Sequence, residues 1–277
     1  MDGGARPAAL GGSYVSLADD SNALHYNPAG LAFLERNDAS FMHADHFFGT
    51  SQEYVGLALK GPLGPLGEGM GAGLLVNTVG FGAVQRTTLS NIRGAGLGTL
   101  SARDYSVSFG YASRLPWVEW MSAGMAAKWI HEEIDSLAAD SGATDIGVLA
   151  DLDEAFSVPV RLGAAFQNIG ADLKYQSADE PLPLNLRFGA SWKPVKAAVL
   201  ALDLNQPSRG EMTVHAGAEY AVDSAVALRV GYDGRNSSDS GIAAGIGLTF
   251  KGLDFGYAFA PFGSLGDSHR FSVAWRW

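Results

Sequence analysis

The sequence contains no cysteine, which excludes a disulfide framework, a thiolate metal site and thiol chemistry. It is also poor in charge, since Asp, Glu, Lys and Arg make up 17% of the chain against about 25% in average soluble domains. Basic residues are scarcer than acidic ones, at 19 against 29, which gives a net charge of −10. This balance argues against nucleic acid as a partner.

Long apolar runs are missing as well. Although 47% of the residues are hydrophobic, no run approaches the roughly 20 residues that a membrane-spanning helix needs. This does not exclude a membrane, because the strands of a membrane barrel alternate and give a weaker signal. Residues 1–7 have neither the basic nor the apolar region of a signal peptide, so we expect an export leader to be absent from this chain.

What the sequence has is period-2 alternation, which is the pattern of β-strands. Between residues 184 and 192, large apolar side chains alternate with Asn185, Arg187, Gly189 and Ser191. The same pattern recurs over residues 214–220, 227–232, 242–250 and 271–277. Alternation is expected both of a soluble all-β domain and of a membrane barrel, in which the apolar face points outward.

Connection lengths favour the barrel. We predict about fourteen antiparallel strands, of which the first eight cover residues 38–48, 53–61, 70–85, 103–114, 121–132, 144–153, 157–169 and 183–193. Short turns at 193–196, 221–225 and 251–253 fall at one end, whereas most of the longer polar connections, including 86–102 and an acidic loop after Glu132, fall at the other. This asymmetry is typical of outer-membrane barrels. Aromatic residues, among them Trp117, Trp192 and Trp277, collect near the short-turn end, as in an interfacial girdle.

The N-terminal stretch, residues 3–34, does not alternate. Pro28 fixes its own φ and disfavours helix at Asn27, so the chain is predicted to bend there. Asp20 or Ser21 is predicted to cap a short helical turn through Ala23 and Leu24. We predict a compact irregular segment that precedes the barrel and lies inside it.

This stretch resembles the N-terminal signature of the FadL-like outer-membrane proteins, most closely the PorV/PorQ branch. The matching residues are Gly4, Ala5, Arg6, Gly11, Gly12, Asp19, Asp20, Asn22, Ala23, Asn27, Pro28, Ala29, Gly30, Leu31 and Ala32. The resemblance implies a barrel with an N-terminal hatch folded into the lumen. It also implies one of two functions: passage of small hydrophobic molecules, our leading interpretation, or docking and shuttling of secreted protein cargo at the cell surface. The chain is short for the family, which implies trimmed outer loops.

The expected organisation is therefore a hatch or plug segment at residues 1–36 and an outer-membrane β-barrel at residues 37–277. The hatch can be a gate that moves or a plug that only fills the lumen, and both interpretations stay open. The residues assigned to it are Asp19, Asp20, Asn27, Pro28, Ala29 and Gly30. In the gate interpretation, apolar residues from Tyr14 to Leu34 line or occlude a greasy passage.

Several polar residues on predicted strands are expected to face the lumen. They are Lys128, Arg161, Arg187, Asp203, Glu219 and Arg229. Such residues form either a polar pathway or structural ion pairs, because a charge in a narrow lumen must be paired or hydrated. We favour ion pairs, since both signs occur in similar number.

No spacing places a catalytic triad, a carboxylate pair or a set of metal ligands, so we expect no enzyme activity, no cofactor and no metal site. The histidines at positions 43 and 46 beside Asp45 are a weak metal motif without a partner set elsewhere. The expected surroundings are outer-membrane lipid in a Gram-negative-type bacterium. The expected partners are either hydrophobic small molecules or secretion-system and cargo proteins.

Overall fold

In a computed structural model of the chain, which describes residues 2–61, 69–175 and 179–277, fourteen long strands form a closed antiparallel barrel. The barrel strands are β1 (Asp38–Asp45), β2 (Ser51–Lys60), β3 (Met70–Gln85), β4 (Thr99–Leu115), β5 (Val118–Ile134), β6 (Leu137–Asp151), β7 (Val160–Gly170), β10 (Asn185–Val195), β11 (Ala198–Pro207), β12 (Thr213–Ala221), β13 (Val226–Asp233), β14 (Ile242–Phe250), β15 (Leu253–Pro261) and β16 (Asp267–Arg276). Two short strands, β8 (Leu173–Lys174) and β9 (Asp179–Glu180), pair with each other in the connection between β7 and β10. The predicted all-β barrel of about fourteen strands is confirmed.

Each barrel strand pairs with its sequence neighbours, and β1 pairs with β16 to close the barrel. At the closure Asp38 lies opposite Arg276 and Asp45 lies opposite His269. Closure satisfies the backbone hydrogen-bonding groups that an open sheet would leave unpaired at its edges.

The apolar residues of the alternating strands point outward. On β13, Leu228 and Val230 are exposed while Arg229 between them is largely enclosed. On β10, Phe188 and Trp192 are exposed, whereas Arg187 is buried. The barrel thus carries a hydrophobic outer surface and a polar inner wall, which is the inverse of a soluble protein and typical of a barrel in lipid.

Residues 2–34 form short helical pieces instead of strands. These are α1 (Ala5–Ala9), α2 (Ala23–Tyr26) and a 3₁₀ helix from Pro28 to Phe33. A third helix, α3 (Leu152–Phe156), and two further 3₁₀ turns, Phe47–Gly49 and Gly263–Leu265, lie in connections between strands. None of the helices in the described ranges is long and apolar enough to cross a membrane.

Several predicted boundaries were wrong. Of the acidic residues predicted in a loop, only Asp135 lies in a turn, because β5 continues to Ile134 and β6 begins at Leu137. A two-residue turn thus joins two long strands. The predicted connection 86–102 ends earlier, since β4 begins at Thr99. The strands β3 to β6 pair with one another along most of their length. This pairing makes strands of polar stretches that lack apolar alternation and were therefore predicted to be loops. The stretch 61–69, between the predicted second and third strands, lies largely outside the described residues.

Candidate functional site

The N-terminal segment, residues 2–34, contacts every strand of the barrel wall. Hydrogen bonds, ion pairs or direct packing contacts join it to β1 and β2, to β3 through β7, and to β10 through β16. A segment that touches all fourteen strands of a closed barrel lies within its lumen. Its division from the barrel at residue 36 stays a prediction.

The side chain of Asn27 stabilises the bend of the segment before Pro28. Its Nδ2 donates to the backbone carbonyls of Val15 and Val148, each at 3.0 Å, and its Oδ1 accepts from the backbone N–H of Ala29 at 3.1 Å. The last contact caps the 3₁₀ helix that begins at Pro28. Proline suits the first position of a helix, because its φ is fixed near the helical value and its missing N–H would have no partner there. The two hydrogen bonds within the segment are buried and the one to Val148 is partly buried, so one side chain joins two parts of the segment to the wall strand β6.

The predicted cap of α2 was wrong. Its N-cap residue is Asn22, and no side chain caps the helix. The carboxylate of Asp20 instead accepts hydrogen bonds from the backbone N–H and the side-chain amide of Asn22, each at 3.0 Å, and from the Tyr14 hydroxyl at 2.8 Å. Asp20 therefore holds the loop before the helix.

A belt of glycines on the inner wall receives the segment. A Cβ atom added to any of them would lie within about 3 Å of an atom of residues 9–31. The belt consists of Gly73, Gly110, Gly124, Gly147, Gly163, Gly189, Gly217, Gly231 and Gly245. Eight of them form four directly opposed pairs across neighbouring strands. The glycine content of the strands is therefore explained by close approach of the segment backbone to the wall.

The backbone of Pro28 and Ala29 shows how close this approach is. A Cβ at Gly124 would lie 2.6 Å from the Ala29 nitrogen and from the Pro28 carbonyl carbon. Inside the segment, a Cβ at Gly30 would lie 1.6 Å from the carbonyl oxygen of Ala18. Both positions leave room for hydrogen only, and this explains two of the glycines without reference to turn geometry.

Ion pairs fix the segment at the short-turn end. Arg6 donates from Nε to Glu219 at 2.9 Å, and Arg229 donates from Nε to the same carboxylate at 2.6 Å. Asp19 accepts from Arg161 at 3.3 Å and from Arg6 at 3.4 Å. The segment and the wall thus share a network of alternating charges in which the described carboxylates and guanidinium groups are paired.

Higher in the lumen, two further polar residues of the wall hold the segment backbone. The carboxylate of Asp203 accepts from the backbone N–H groups of Tyr14 and Val15 at 2.8 and 2.9 Å. The guanidinium of Arg187 donates to the carbonyl of Gly12 at 3.0 Å and lies 5.1 Å from the ring centre of Tyr26. Sequence reasoning placed these two residues in the lumen but gave no signal for their backbone contacts.

Lys128 stands apart from the other predicted lumenal residues, because it pairs with wall residues that do not themselves pair with the segment. Its ammonium group is 2.9 Å from Asp145 and donates to Asn168 at 2.8 Å. Asn168 has a φ of 60° and stands where the β6–β7 register shifts, so the pair stabilises an irregular point of the wall. The structure thus brings Arg161, Arg187, Asp203 and Glu219 directly onto the segment, joins Arg229 to it through Glu219, and leaves Lys128 apart.

The apolar residues of the segment are covered. Tyr14, Leu24 and Leu31 are fully buried, and Leu17, Phe33 and Leu34 nearly so. All of them except Phe33 pack with Met42, Tyr54 and Leu75 of the wall in one hydrophobic cluster, and Phe33 packs with Leu149 of the wall. In this structure these side chains pack against one another and against the wall.

Burial shifts the pKa values of Asp20 and His25, two side chains of the segment. Burial raises the pKa of Asp20 to about 6, with a further contribution from the nearby Asp38 carboxylate. Burial lowers the pKa of His25 to about 3, because a charged imidazole would lose its hydration. His25 is therefore neutral at pH 7, and its ring packs against Tyr26 and Tyr54.

A cleft of about 460 Å³ opens beside the segment at the short-turn end. Its ionisable lining comprises Asp19, Asp20, Glu35, Asp38, Glu219, Asp223 and Asp254, with Arg6, Arg36, Arg229 and Arg276. Sequence reasoning missed this cleft, because its lining comes from seven strands and from the segment. Within the ranges that the structure describes, no group of three or more His, Asp or Glu side chains could hold a metal ion.

No protein-family model matches the chain, and no curated protein matches it. Solved structures do. The toluene transporter TbuX of Ralstonia pickettii superposes with a TM-score of 0.72 and 13% identity, covering 99% of this chain and 98% of that one. A deltaS2 mutant of the monoaromatic hydrocarbon channel TodX gives a TM-score of 0.66 and 14% identity with the same coverage. A FadL homologue of Pseudomonas aeruginosa gives 0.60 and 11%, covering 98% of this chain and 97% of that one. The chain therefore has the FadL-like barrel fold along almost its whole length.

Proposed function

We propose that this chain is an outer-membrane barrel through which small hydrophobic molecules pass, and that the N-terminal segment closes it in the state described. The observation that carries the proposal is the shared fold with proteins named as toluene and monoaromatic hydrocarbon channels, over 99% of the chain. No chemical step is involved.

The outer surface supports a membrane location. Exposed apolar side chains occupy the outward positions of successive strands, for example Leu202 on β11, Val230 on β13 and Val273 on β16. Trp117, Trp192 and Tyr220 are exposed at the short-turn end, where amphipathic rings fit the boundary between lipid and water. A surface of this kind would aggregate in water, whereas lipid covers it without cost.

Passage requires the segment to shift. The segment fills the lumen against the glycine belt, and its apolar residues are covered. Its polar contacts, such as Arg6 with Glu219 and Asn27 with Val148, are the ones that an opening movement would break. If the segment is a gate, these contacts break and re-form during passage. If it is a plug, they stay in place permanently.

Uptake of radiolabelled toluene tests the proposal. Cells that lack the gene are compared with cells that carry the wild-type chain, Gly124→Ala or Gly142→Ala. We expect wild type to raise initial uptake over the deletion strain, and Gly124→Ala to change it, because the added Cβ pushes the backbone at Pro28. Gly142 is the matched control, since a Cβ there has its nearest neighbour at 4.0 Å.

Equal uptake by wild-type and deletion cells would overturn the proposal. Absence of secreted proteins from the surface of the deletion strain would then favour the second interpretation, a PorV-like barrel that docks cargo. That interpretation, like the PorV/PorQ resemblance of residues 4–32, stays a prediction.

A further inference from the structure

The ring of Phe33 lies against two arginines of the barrel wall. The guanidinium carbon of Arg114 is 4.6 Å from the ring centre, and that of Arg161 is 5.4 Å from it. Both distances are within the roughly 6 Å at which a cation attracts the face of an aromatic ring. Phe33 is only 5% exposed and also packs with Leu149 of β6. The space that Arg114, Arg161 and Leu149 enclose around this ring is called the Phe33 pocket.

The two arginines are held in place by groups other than Phe33. Arg114, at the end of β4, donates to both carboxylate oxygens of Glu154, at 2.7 and 3.0 Å. Arg161, near the start of β7, donates to Asp151 at 2.6 Å. Glu154 lies in α3, and Asp151 is the N-cap residue of that helix. Each guanidinium group is thus anchored by a carboxylate outside the segment, so the pocket would persist if Phe33 left it.

A cavity of about 210 Å³ adjoins the pocket at the short-turn end, because Asp151, Glu154 and Arg161 line it as well. A ring that leaves the pocket would have this space beside it. Ala29 of the 3₁₀ helix belongs to the same apolar cluster as Phe33, so departure of the ring would loosen that helix from the wall.

We propose that the Phe33 pocket is a binding site for a single aromatic ring, which Phe33 fills in the closed state and from which a passing aromatic molecule displaces it. The inference rests on the proposed function and deepens it, because it names the class of molecule and the point at which the segment yields. A monocyclic aromatic molecule is favoured over an aliphatic one of equal size, since only the aromatic ring has a π face for the two cations. Guanidinium is weakly hydrated and stacks on aromatic faces, which suits it to exchange one ring for another.

Cysteine labelling of the full chain in detergent tests the displacement. Because the chain has no cysteine, Ser122→Cys provides a single reporter thiol. Ser122 is fully buried on β5 and donates to the carbonyl of Ala29 at 2.8 Å, which places it beneath the 3₁₀ helix that ends at Phe33. We expect toluene to speed the reaction of this thiol with a maleimide about threefold, the factor that corresponds to one cation–π contact. Methylcyclohexane, which has a similar size but no π face, should have little effect.

Phe33→Ala should reverse the sign of the toluene effect. Without toluene, the empty pocket should let the reporter react about tenfold faster, because both cation–π contacts are lost. Toluene should then slow the reaction, since it fills the space of the missing ring. A general effect of toluene on the detergent micelle would have the same sign in both proteins. Phe41→Ala, on the exposed outer face of β1, is the control for loss of a phenylalanine and should react like the parent.

Glu154→Gln tests the pocket with the ring in place. Arg114 loses its bidentate partner, so the reporter should react about twofold faster than in Asp153→Asn, which changes the neighbouring exposed carboxylate of α3. Equal rates in these two variants, a toluene effect of the same sign in the parent and in Phe33→Ala, or an equal effect of methylcyclohexane would overturn the proposal. Equal toluene uptake by wild-type and deletion cells would instead overturn the passage of hydrophobic molecules, and it would not alter these labelling rates.

Discussion

The side-chain amide of Asn27 donates to the backbone carbonyl of Val148 at 3.0 Å. The residue that precedes Pro28 thereby joins the N-terminal segment to wall strand β6. The same side chain also bonds to Val15 and Ala29, so its loss would affect three backbone groups together, two of them in fully buried hydrogen bonds.

Replacement of Asn27 by alanine should therefore destabilise the protein. A buried polar group left without its partner costs about 1–3 kcal/mol, and we expect a loss in that range in the free energy of unfolding in detergent, measured with guanidinium chloride. Asn91→Ala, in an exposed connection, is a control for loss of an asparagine side chain. A change of less than about 0.5 kcal/mol, the usual range of a surface substitution, would mean that these contacts are dispensable.

Gly124→Ala tests the fit of the segment against the wall. The new methyl would meet the backbone of Pro28 and Ala29, and overpacking of this kind costs about 1–3 kcal/mol. Because the three atoms nearest to that methyl all belong to the segment, we expect the segment to move and the ion conductance of the barrel in planar bilayers to rise. Gly142→Ala should leave conductance and stability unchanged. Conductance that is equal in the two variants would show that the belt does not position the segment.

Glu219→Gln should weaken the ion-pair network at the short-turn end. Arg6 and Arg229 would lose their shared carboxylate, and breaking a buried pair costs about 3–5 kcal/mol because the remaining charges stay enclosed. Glu180→Gln breaks the exposed pair with Arg209, for which about 0–1 kcal/mol is expected. Unfolding in detergent measures both, and equal effects would contradict the burial of the network.

The neutral state of His25 predicts a pH dependence. Its pKa is about 3 in the folded protein and about 6.5 when unfolded, so between these values the unfolded state binds the extra proton. The contribution of His25 to stability should fall as the pH drops below 6.5, by up to about 1.4 kcal/mol per pH unit. Asp2 and Asp19, whose pKa values are lowered, add to the same trend at more acidic pH, because paired arginines outweigh burial at both carboxylates. Asp20, whose raised pKa of about 6 lets the folded state bind a proton first, opposes the contribution of His25 between about pH 6 and 4.

His25→Phe separates the contribution of His25. The variant keeps a ring against Tyr26 and Tyr54 but cannot be protonated. Between pH 6.5 and 4.5 its stability should fall less steeply than that of the wild type. Parallel curves for the two proteins would mean that His25 is hydrated in the folded state.

The outward position of Leu202 predicts sensitivity to charge in lipid. It lies in the middle of β11 and is 50% exposed, whereas Met212 is 57% exposed in the following connection. Leu202→Arg should destabilise the barrel in bilayers by about 2–4 kcal/mol, the cost of arginine near the membrane midplane. Met212→Arg should have little effect. If the two variants refold into vesicles equally well, the outer face of β11 does not contact lipid.

The sequence by itself determined the fold class and the orientation of each strand. Because side chains alternate with period 2, Leu186 and Arg187 could be assigned to opposite faces before any coordinates were known. Connection lengths and the fourteen strands followed from the same pattern. The ends of β4, β5 and β6 did not, because long antiparallel pairing stabilises polar residues as strand even where they show no apolar alternation.

Only the tertiary structure decided what the N-terminal segment does with the wall. Sequence could place Asn27 at a bend and Asp203 on an inner face, but their partners, Val148 in one case and the Tyr14 and Val15 backbone in the other, lie 121 to 189 positions away. The sequence shows that the strands are rich in glycine, but only the structure shows which backbone approaches these glycines and requires them. Contacts between distant parts of the chain are set by the closure of the barrel, and no local pattern records them.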